Sequence, residues 1–190
     1  MNRTWMKIAL ATMVMLVLSL GATLAIAEDA PAAEAAKTPA FVGSKSCKAC
    51  HMGEKKGKMW EIWMESTHAK SMASLNAEKG ETKDPKCLKC HTTGYGEATG
   101  YGYEGMDEAA ASPEGLGAVG CESCHGPGSE YKAMKVMKDR DAAVAAGMWI
   151  PTEATCKKCH NEESPTFKGF NYEEMLAKIA HKLPAAEGGQ

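Results

Sequence analysis

All eight cysteines of this 190-residue chain fall into pairs of a single form, Cys-x-x-Cys-His. The four copies are Cys47-Lys48-Ala49-Cys50-His51, Cys87-Leu88-Lys89-Cys90-His91, Cys121-Glu122-Ser123-Cys124-His125 and Cys156-Lys157-Lys158-Cys159-His160. Successive motif histidines are 40, 34 and 35 residues apart, each interval long enough for a helix and a loop. Two intervening residues bring both thiols of a pair to one edge of a flat macrocycle, and the next histidine reaches a metal at its centre. This is the attachment signal of a c-type haem, whose vinyl groups take the thiols as thioethers. Zinc sites also use Cys-x-x-Cys pairs, but they do not require a histidine directly after each one. A dithiol redox motif expects a strand–helix setting, which is missing at every copy. Disulfides in an exported chain would explain neither the spacing nor the histidines. Four covalently bound c-type haems, with iron as the metal, are therefore expected. Cys47, Cys50, Cys87, Cys90, Cys121, Cys124, Cys156 and Cys159 attach them, and His51, His91, His125 and His160 are the proximal ligands.

The setting is an exported one. Arg3 and Lys7 precede an uncharged apolar run from Ile8 to Ile26, and Ala25-Ile26-Ala27 is followed at once by Glu28 and Asp29. Residues 1–27 read as a signal peptide. The run is nearly long enough to span a bilayer, but the small-residue site and the abrupt acidic start favour cleavage, with no stable membrane insertion afterwards. A periplasmic or secreted location follows. Residues 28–40 are rich in Ala, Pro and Glu and read as a disordered leader. Residues 41–190 read as one tetrahaem cytochrome c domain. Without Arg3 and Lys7, the chain keeps 24 acidic against 20 basic residues. That balance offers no basic patch for nucleic acid, and it suits redox protein partners with basic docking surfaces.

The expected fold class is mostly α: a small multihaem cytochrome with helices and long loops around closely packed haems. The spacing of Trp60, Trp63, Met64, Thr67, His68, Met72 and Leu75 predicts one helix over residues 56–77, stopped at Gly80. Residues 92–120 carry many glycines, with Tyr95, Tyr101 and Tyr103, and no sustained period. They read as a long loop draped over a haem, not as strands. Residues 129–146 predict a helix with Ser129 as N-cap, Gly147 as stop, and Met134, Met137 and Val144 facing inward. Asn171 opens a last helix with Glu174 in the capping-box position, an apolar stripe of Met175, Leu176, Ile179 and Leu183, and Pro184 beyond its end.

Six histidines are too few for four bis-histidine haems. Beyond the four proximal ligands only His68 and His181 remain, so at most two haems can carry a second histidine. His68 lies on the apolar face of its expected helix. A packed core histidine is the bland alternative, but ligation of iron is favoured. His181 lies off the stripe of the last helix, where surface exposure competes with ligation. Met59, Met64, Met72, Met134, Met137, Met148 and Met175 are available thioethers, though each is individually more often a packing residue. An axial methionine raises a haem's potential relative to a second histidine.

The run Phe41-Val42-Gly43 before the first motif resembles the tetrahaem cytochrome c-554 family. So does Trp63-Met64-Glu65-Ser66-Thr67-His68-Ala69 after it, and so do Cys90-His91-Thr92-Thr93-Gly94-Tyr95, Gly120 to Ser129, and Lys178-Ile179-Ala180-His181. The resemblance spans about residues 41–184. It implies a mostly helical fold around stacked haems that passes electrons in the periplasm. It implies that His68 reaches the haem of His160 and His181 that of His51, and that the second haem, here that of His91, is five-coordinate and high-spin. It also points toward nitrogen-oxide metabolism, where a family member accepts electrons from hydroxylamine oxidation. One position departs from the pattern. Tyr131 stands where relatives place a histidine for the third haem, which leaves the haem of His125 with Met134 or Met137 first, Tyr131 itself, or no protein ligand.

Three functions compete. A periplasmic carrier of electrons between redox partners, in nitrogen-compound or anaerobic respiration, is favoured over an enzyme, because no histidine is left over for proton work. A haem enzyme reducing a small ligand such as nitric oxide at an open haem is the second, and a subunit of an extracellular cytochrome filament the third. Whatever the role, the polypeptide is short of core. It has 3 Phe, 5 Tyr and 4 Trp, and Trp5 belongs to the leader. With about 41 residues for each haem, the haems must supply much of the buried apolar surface. The haem-free chain is therefore predicted to be largely unfolded. Far-UV circular dichroism checks this, and a well-folded haem-free form would refute it.

Overall fold

The computed structural model describes residues 38–182 and 184. The expected signal peptide, most of the leader segment and Leu183 lie outside them. The described residues are helical and contain no strand, in line with a mostly α fold. The helices are α1 (Lys45–His51), α2 (Met59–Glu65), α3 (Pro85–His91), α4 (Glu108–Ala111), α5 (Cys121–His125), α6 (Met134–Met137), α7 (Arg140–Ala145), α8 (Glu153–Lys157) and α9 (Tyr172–Ile179). Short 3-10 turns cover Glu54–Lys56, His68–Ser74 and Glu81–Lys83. Even α9, the longest helix among the described residues, has only 8 residues. Such lengths are marginal for isolated helices in water, so tertiary contacts and caps must hold them.

The caps are where sequence and structure agree best. The Asn171 side chain accepts the Glu174 N–H and starts α9 where expected, although the Glu174 side chain pairs with Lys178 instead of closing a capping box. Asp84 accepts from Lys86 N–H, with Pro85 at the first helical position of α3. Residues 92–120 form the expected loop, interrupted only by the four residues of α4.

Two expected helices are broken. The helix expected over 56–77 stops at Glu65, and the chain resumes as a 3-10 turn from His68. Ser66 is the reason. Its hydroxyl donates to the Trp63 carbonyl at 2.6 Å and its backbone is extended, so side chain and main chain together close the helix. The predicted face is split: Trp60 and Trp63 are buried, whereas Thr67 is exposed. The helix expected over 129–146 is likewise two pieces. Asp139 accepts from Asp141 N–H and Ala142 N–H and starts α7 afresh, while Ser129 caps no helix and pairs with Ala40 instead. Gly147 does follow the end of α7, at φ 99°. Met134 and Val144 do not face inward; they are 63% and 42% exposed.

The apolar core is a small cluster of Trp60, Trp63, Ala69 and Ala118 with Met64 against it. The two indoles meet at 4.8 Å, and Trp63 Nε1 donates to the Val119 carbonyl at 2.9 Å. Polar nodes supply the rest. Thr93 Oγ1 donates to the Ala118 carbonyl at 2.7 Å and accepts the Gly120 N–H at 2.9 Å, which closes the long loop onto α3. Ser44 Oγ accepts Cys121 N–H at 3.1 Å. The Glu122 carboxylate, 1% exposed, accepts N–H groups from Val42, Gly43 and Gly128. Burial pushes this carboxyl above its ordinary value, and the three N–H groups oppose that shift. Glu122→Ala would strand those donors at about 1–3 kcal/mol each. The haem-loaded variant should therefore unfold in denaturant with a loss of about 3 kcal/mol or more, and Glu122→Gln, which keeps one acceptor oxygen, should lose less.

Candidate functional site

Each Cys-x-x-Cys-His motif sits on one short helical turn. Spacing of three places both thiols of a pair on one helical face. In α1, α3 and α5 the histidine is the last helical residue, and the chain turns away at Met52, Thr92 and Gly126. In the fourth motif α8 ends at Lys157, but His160 N–H still donates to the Cys156 carbonyl at 3.0 Å and carries the turn to the histidine. Gly126 is required: its φ is 77°, and a Cβ there would lie 2.8 Å from the Trp149 ring.

All eight thiols are free. Thiols of different motifs are neighbours: Cys47 lies by Cys121, and Cys90 by Cys159. The first motif is thereby set against the third, and the second against the fourth. The neighbouring Cys121 thiol and then burial push the Cys47 thiol up. Burial raises Cys124 to about 11, and burial with the neighbouring Cys90 raises Cys159 to about 12. Zinc requires thiolates, and among the described residues no three His, Cys, Asp or Glu side chains gather as a metal cage.

The imidazoles are set differently. His51 Nδ1 faces Met59 Sδ at 3.1 Å, His91 Nδ1 faces the Ser71 carbonyl at 2.8 Å, His125 Nδ1 the Trp149 carbonyl at 3.3 Å and His181 Nδ1 the Ile179 carbonyl at 3.1 Å. A partner at Nδ1 fixes the tautomer and leaves Nε2 for a metal. Burial lowers the pKa of His51, His68, His125 and His160, which favours the neutral imidazole a metal needs.

Two pairs of rings stand out. His68 and His160 lie with centroids 6.0 Å apart at 68°, and His125 and His181 6.1 Å apart at 59°. Two imidazoles on opposite faces of one metal, with bonds of about 2 Å and each nitrogen about 1.1 Å from its ring centre, have centroids about 6 Å apart. The donor set and its spacing fit a haem iron. Phe170 stacks on His160 at 4.9 Å and 25° and holds its ring. His68 thus lies against His160, and His181 against His125 with His51 in the same neighbourhood. Tyr131 is committed elsewhere: its hydroxyl donates to the Gly126 carbonyl at 2.6 Å and its side chain is buried.

Sequence reasoning overlooked three residues. Glu122 had a signal, a charge between paired cysteines. Phe170 and Ser71 had none, since one acts by stacking and the other by a backbone carbonyl.

Free thiols in helical pairs, each followed by a histidine, define a c-type cytochrome, a class that holds haem covalently. Residues 46–126 match the family described as cytochrome c554 and c-prime. Cytochrome c-554 of Nitrosomonas europaea is 32% identical over 166 residues, covering 78% of this chain and 61% of that protein. The chain is similar to the cytochrome c-554 family, and it spans about three-fifths of the length of this relative. No solved structure matches it.

Tyr131→Phe separates a structural phenol from a ligand. The haem absorption and electron paramagnetic resonance spectra should be unchanged, while stability falls by about 1 kcal/mol for the lost hydrogen bond.

Proposed function

We propose that the chain is a periplasmic tetrahaem electron carrier. Its haems are attached at Cys47/Cys50, Cys87/Cys90, Cys121/Cys124 and Cys156/Cys159, with His51, His91, His125 and His160 as proximal ligands and His68 and His181 as further axial ligands. The observation that carries this reading is that residues of motifs distant in sequence come together, His68 against His160 and His125 against His181 with ring centroids 6.0 and 6.1 Å apart, and the thiols of Cys47 and Cys121, and of Cys90 and Cys159, as neighbours. It sets the attachment edges of the motifs side by side in two pairs, the arrangement a multi-centre carrier needs. A bound c-type haem supplies a one-electron iron couple. The chain's own residues orient the imidazoles, exclude water and set the potential through the axial donors. Ser71 holds His91 by its carbonyl and, through its hydroxyl, the His91 carbonyl at 2.7 Å.

The leader read at residues 1–27 supports export, and the domain from residue 41 onward supports a single cytochrome unit. No helix among the described residues is long and apolar enough to cross a membrane. Redox proteins are the partners this reading requires. Reduction of a small ligand such as nitric oxide is the second reading. It rests on the six histidines, which leave two haems without a second one.

The test is the haem count of the chain produced with a c-type maturation system. The intact mass should correspond to the mature chain from residue 28 with four haems, and replacing both cysteines of one motif by alanine should remove one haem. A redox titration should then show four one-electron centres. A chain exported without covalent haem would overturn the proposal.

A further inference from the structure

We infer that Met59 is a positioning residue that raises the reduction potential of the haem attached at Cys47 and Cys50, through the contact of its sulfur with His51. The inference rests on the haem reading above and adds a residue that sets one centre apart from the others. With Nε2 given to the iron, Nδ1 of a proximal histidine carries the proton and seeks an acceptor. For His91 that acceptor is the Ser71 carbonyl at 2.8 Å, and for His125 the Trp149 carbonyl at 3.3 Å. For His51 it is Met59 Sδ at 3.1 Å. A carbonyl oxygen is a strong acceptor and a thioether a weak one. A strong acceptor draws the Nδ1 proton and makes Nε2 a better donor, which stabilises ferric iron. A thioether draws it less, so the ferric state gains less and the potential stands higher. The positive charge of Lys56 bears on the same ring and acts in the same direction. Nδ1 is the ring nitrogen remote from the iron, so Met59 at this place acts on the ligand and is not itself one.

The second observation is the backbone that delivers the sulfur. Met59 is the first residue of α2, and Lys58 before it has φ 50° and ψ 35°. Lys58 is the only non-glycine residue with positive φ among the described residues. A residue with a Cβ takes that conformation at a cost, and keeps it only where its surroundings impose it. Here they do. Lys58 N–H donates to the Gly53 carbonyl at 3.0 Å, Gly53 N–H donates to Glu61 Oε1 at 2.8 Å, and Lys58 Nζ pairs with Glu54 at 2.9 Å. The turn over residues 53–58 thus closes α2 onto the first motif, and its first side chain meets the imidazole eight positions earlier.

The test is a potentiometric titration of the haem-loaded protein. Met59→Gln brings a carbonyl oxygen within reach of the same proton and should lower one of the four midpoints. At a fixed ambient potential the ferric-to-ferrous ratio of that haem should rise about threefold or more, which is about 30 mV for one electron. Met59→Leu keeps the bulk and removes the acceptor, and should leave that midpoint at or above its parent value. An unmoved midpoint in Met59→Gln, or an equal fall in Met59→Leu, would overturn the inference, the latter by assigning the effect to packing. In a variant without the first haem, Cys47→Ala with Cys50→Ala, adding Met59→Gln should move no midpoint; a shift there would place the effect on another haem and overturn the assignment. Should these variants fail to load haem, a crystal structure of the loaded parent decides. Met59 Sδ on His51 Nδ1 supports the inference, whereas an oxygen on that nitrogen, or the sulfur bonded to an iron, overturns it. An intact parent mass short of four haems would overturn the haem reading itself, and this inference with it. Four haems with midpoints indifferent to Met59 would overturn this inference alone.

Discussion

Three backbone N–H groups, from Val42, Gly43 and Gly128, converge on the Glu122 carboxylate inside the third motif. The entry segment, the third motif and the strand of chain leaving it are joined at one buried acceptor. Glu122, Thr93 and Ser44 are the largest fully buried side chains of the described protein, and all three are polar. Most small domains place leucine, isoleucine or phenylalanine at such positions. A buried carboxylate is tolerated only when its lone pairs are filled, and here they are. The fold therefore depends on directional hydrogen bonds that specify geometry, not on a mass of apolar contact. Such bonds also position the thiols: Ser44 reaches Cys121 N–H, and Glu122 lies between Cys121 and Cys124.

A network of this kind cannot by itself offset the conformational entropy of ordering so many short helices and loops. The apolar cluster around Trp60 and Trp63 is one local knot. Elsewhere, Trp149, Ile150, Met175 and Leu176 remain exposed on the polypeptide. Covalent haem resolves the conflict in a c-type cytochrome, because the cofactor is itself a large apolar body tied to the chain at two points. Polar nodes then decide where each motif helix sits, and cofactor burial supplies the driving force. The division of labour also explains why the motif helices end at or just before their histidines. A longer helix would carry the next residues across the face that the imidazole must present.

The legible parts of the sequence were those with local chemistry. The motif spacing identified the thiols and histidines, Asn171 identified the start of α9, and the glycine-rich run identified the long loop. The two broken helices were illegible for a shared reason. Apolar periodicity runs straight through Ser66 and Asp139, yet each offers its side chain to nearby backbone groups and ends or restarts a helix there. Periodicity reports which residues want burial, and it is blind to a single competing hydrogen bond. Non-local placement was harder still. Tyr131, Trp149 and Gly126 form one unit only because Gly126 takes a positive φ beneath the indole, and no spacing rule contains that.

The broken helix over residues 56–77 shows how such a departure serves the site. A straight helix would keep His68 in register with Trp60, Trp63 and Met64, facing the tryptophan cluster. The stop at Ser66 frees the following turn to take its own direction. Ser71 on that turn then anchors to the His91 carbonyl and receives Val119 N–H at 3.0 Å, so the turn is fixed against α3 and the end of the loop. His68 can consequently face His160, more than ninety residues away in sequence, while Trp63 stays in the core. One hydroxyl, on Ser66, thus separates the tryptophan packing element from the turn that carries His68, two pieces that an uninterrupted amphipathic pattern would have fused. The same logic applies at the other end of the chain. Ala180 leaves α9 one residue before His181, so extended backbone, not a helical face whose direction is already set, carries the imidazole to His125.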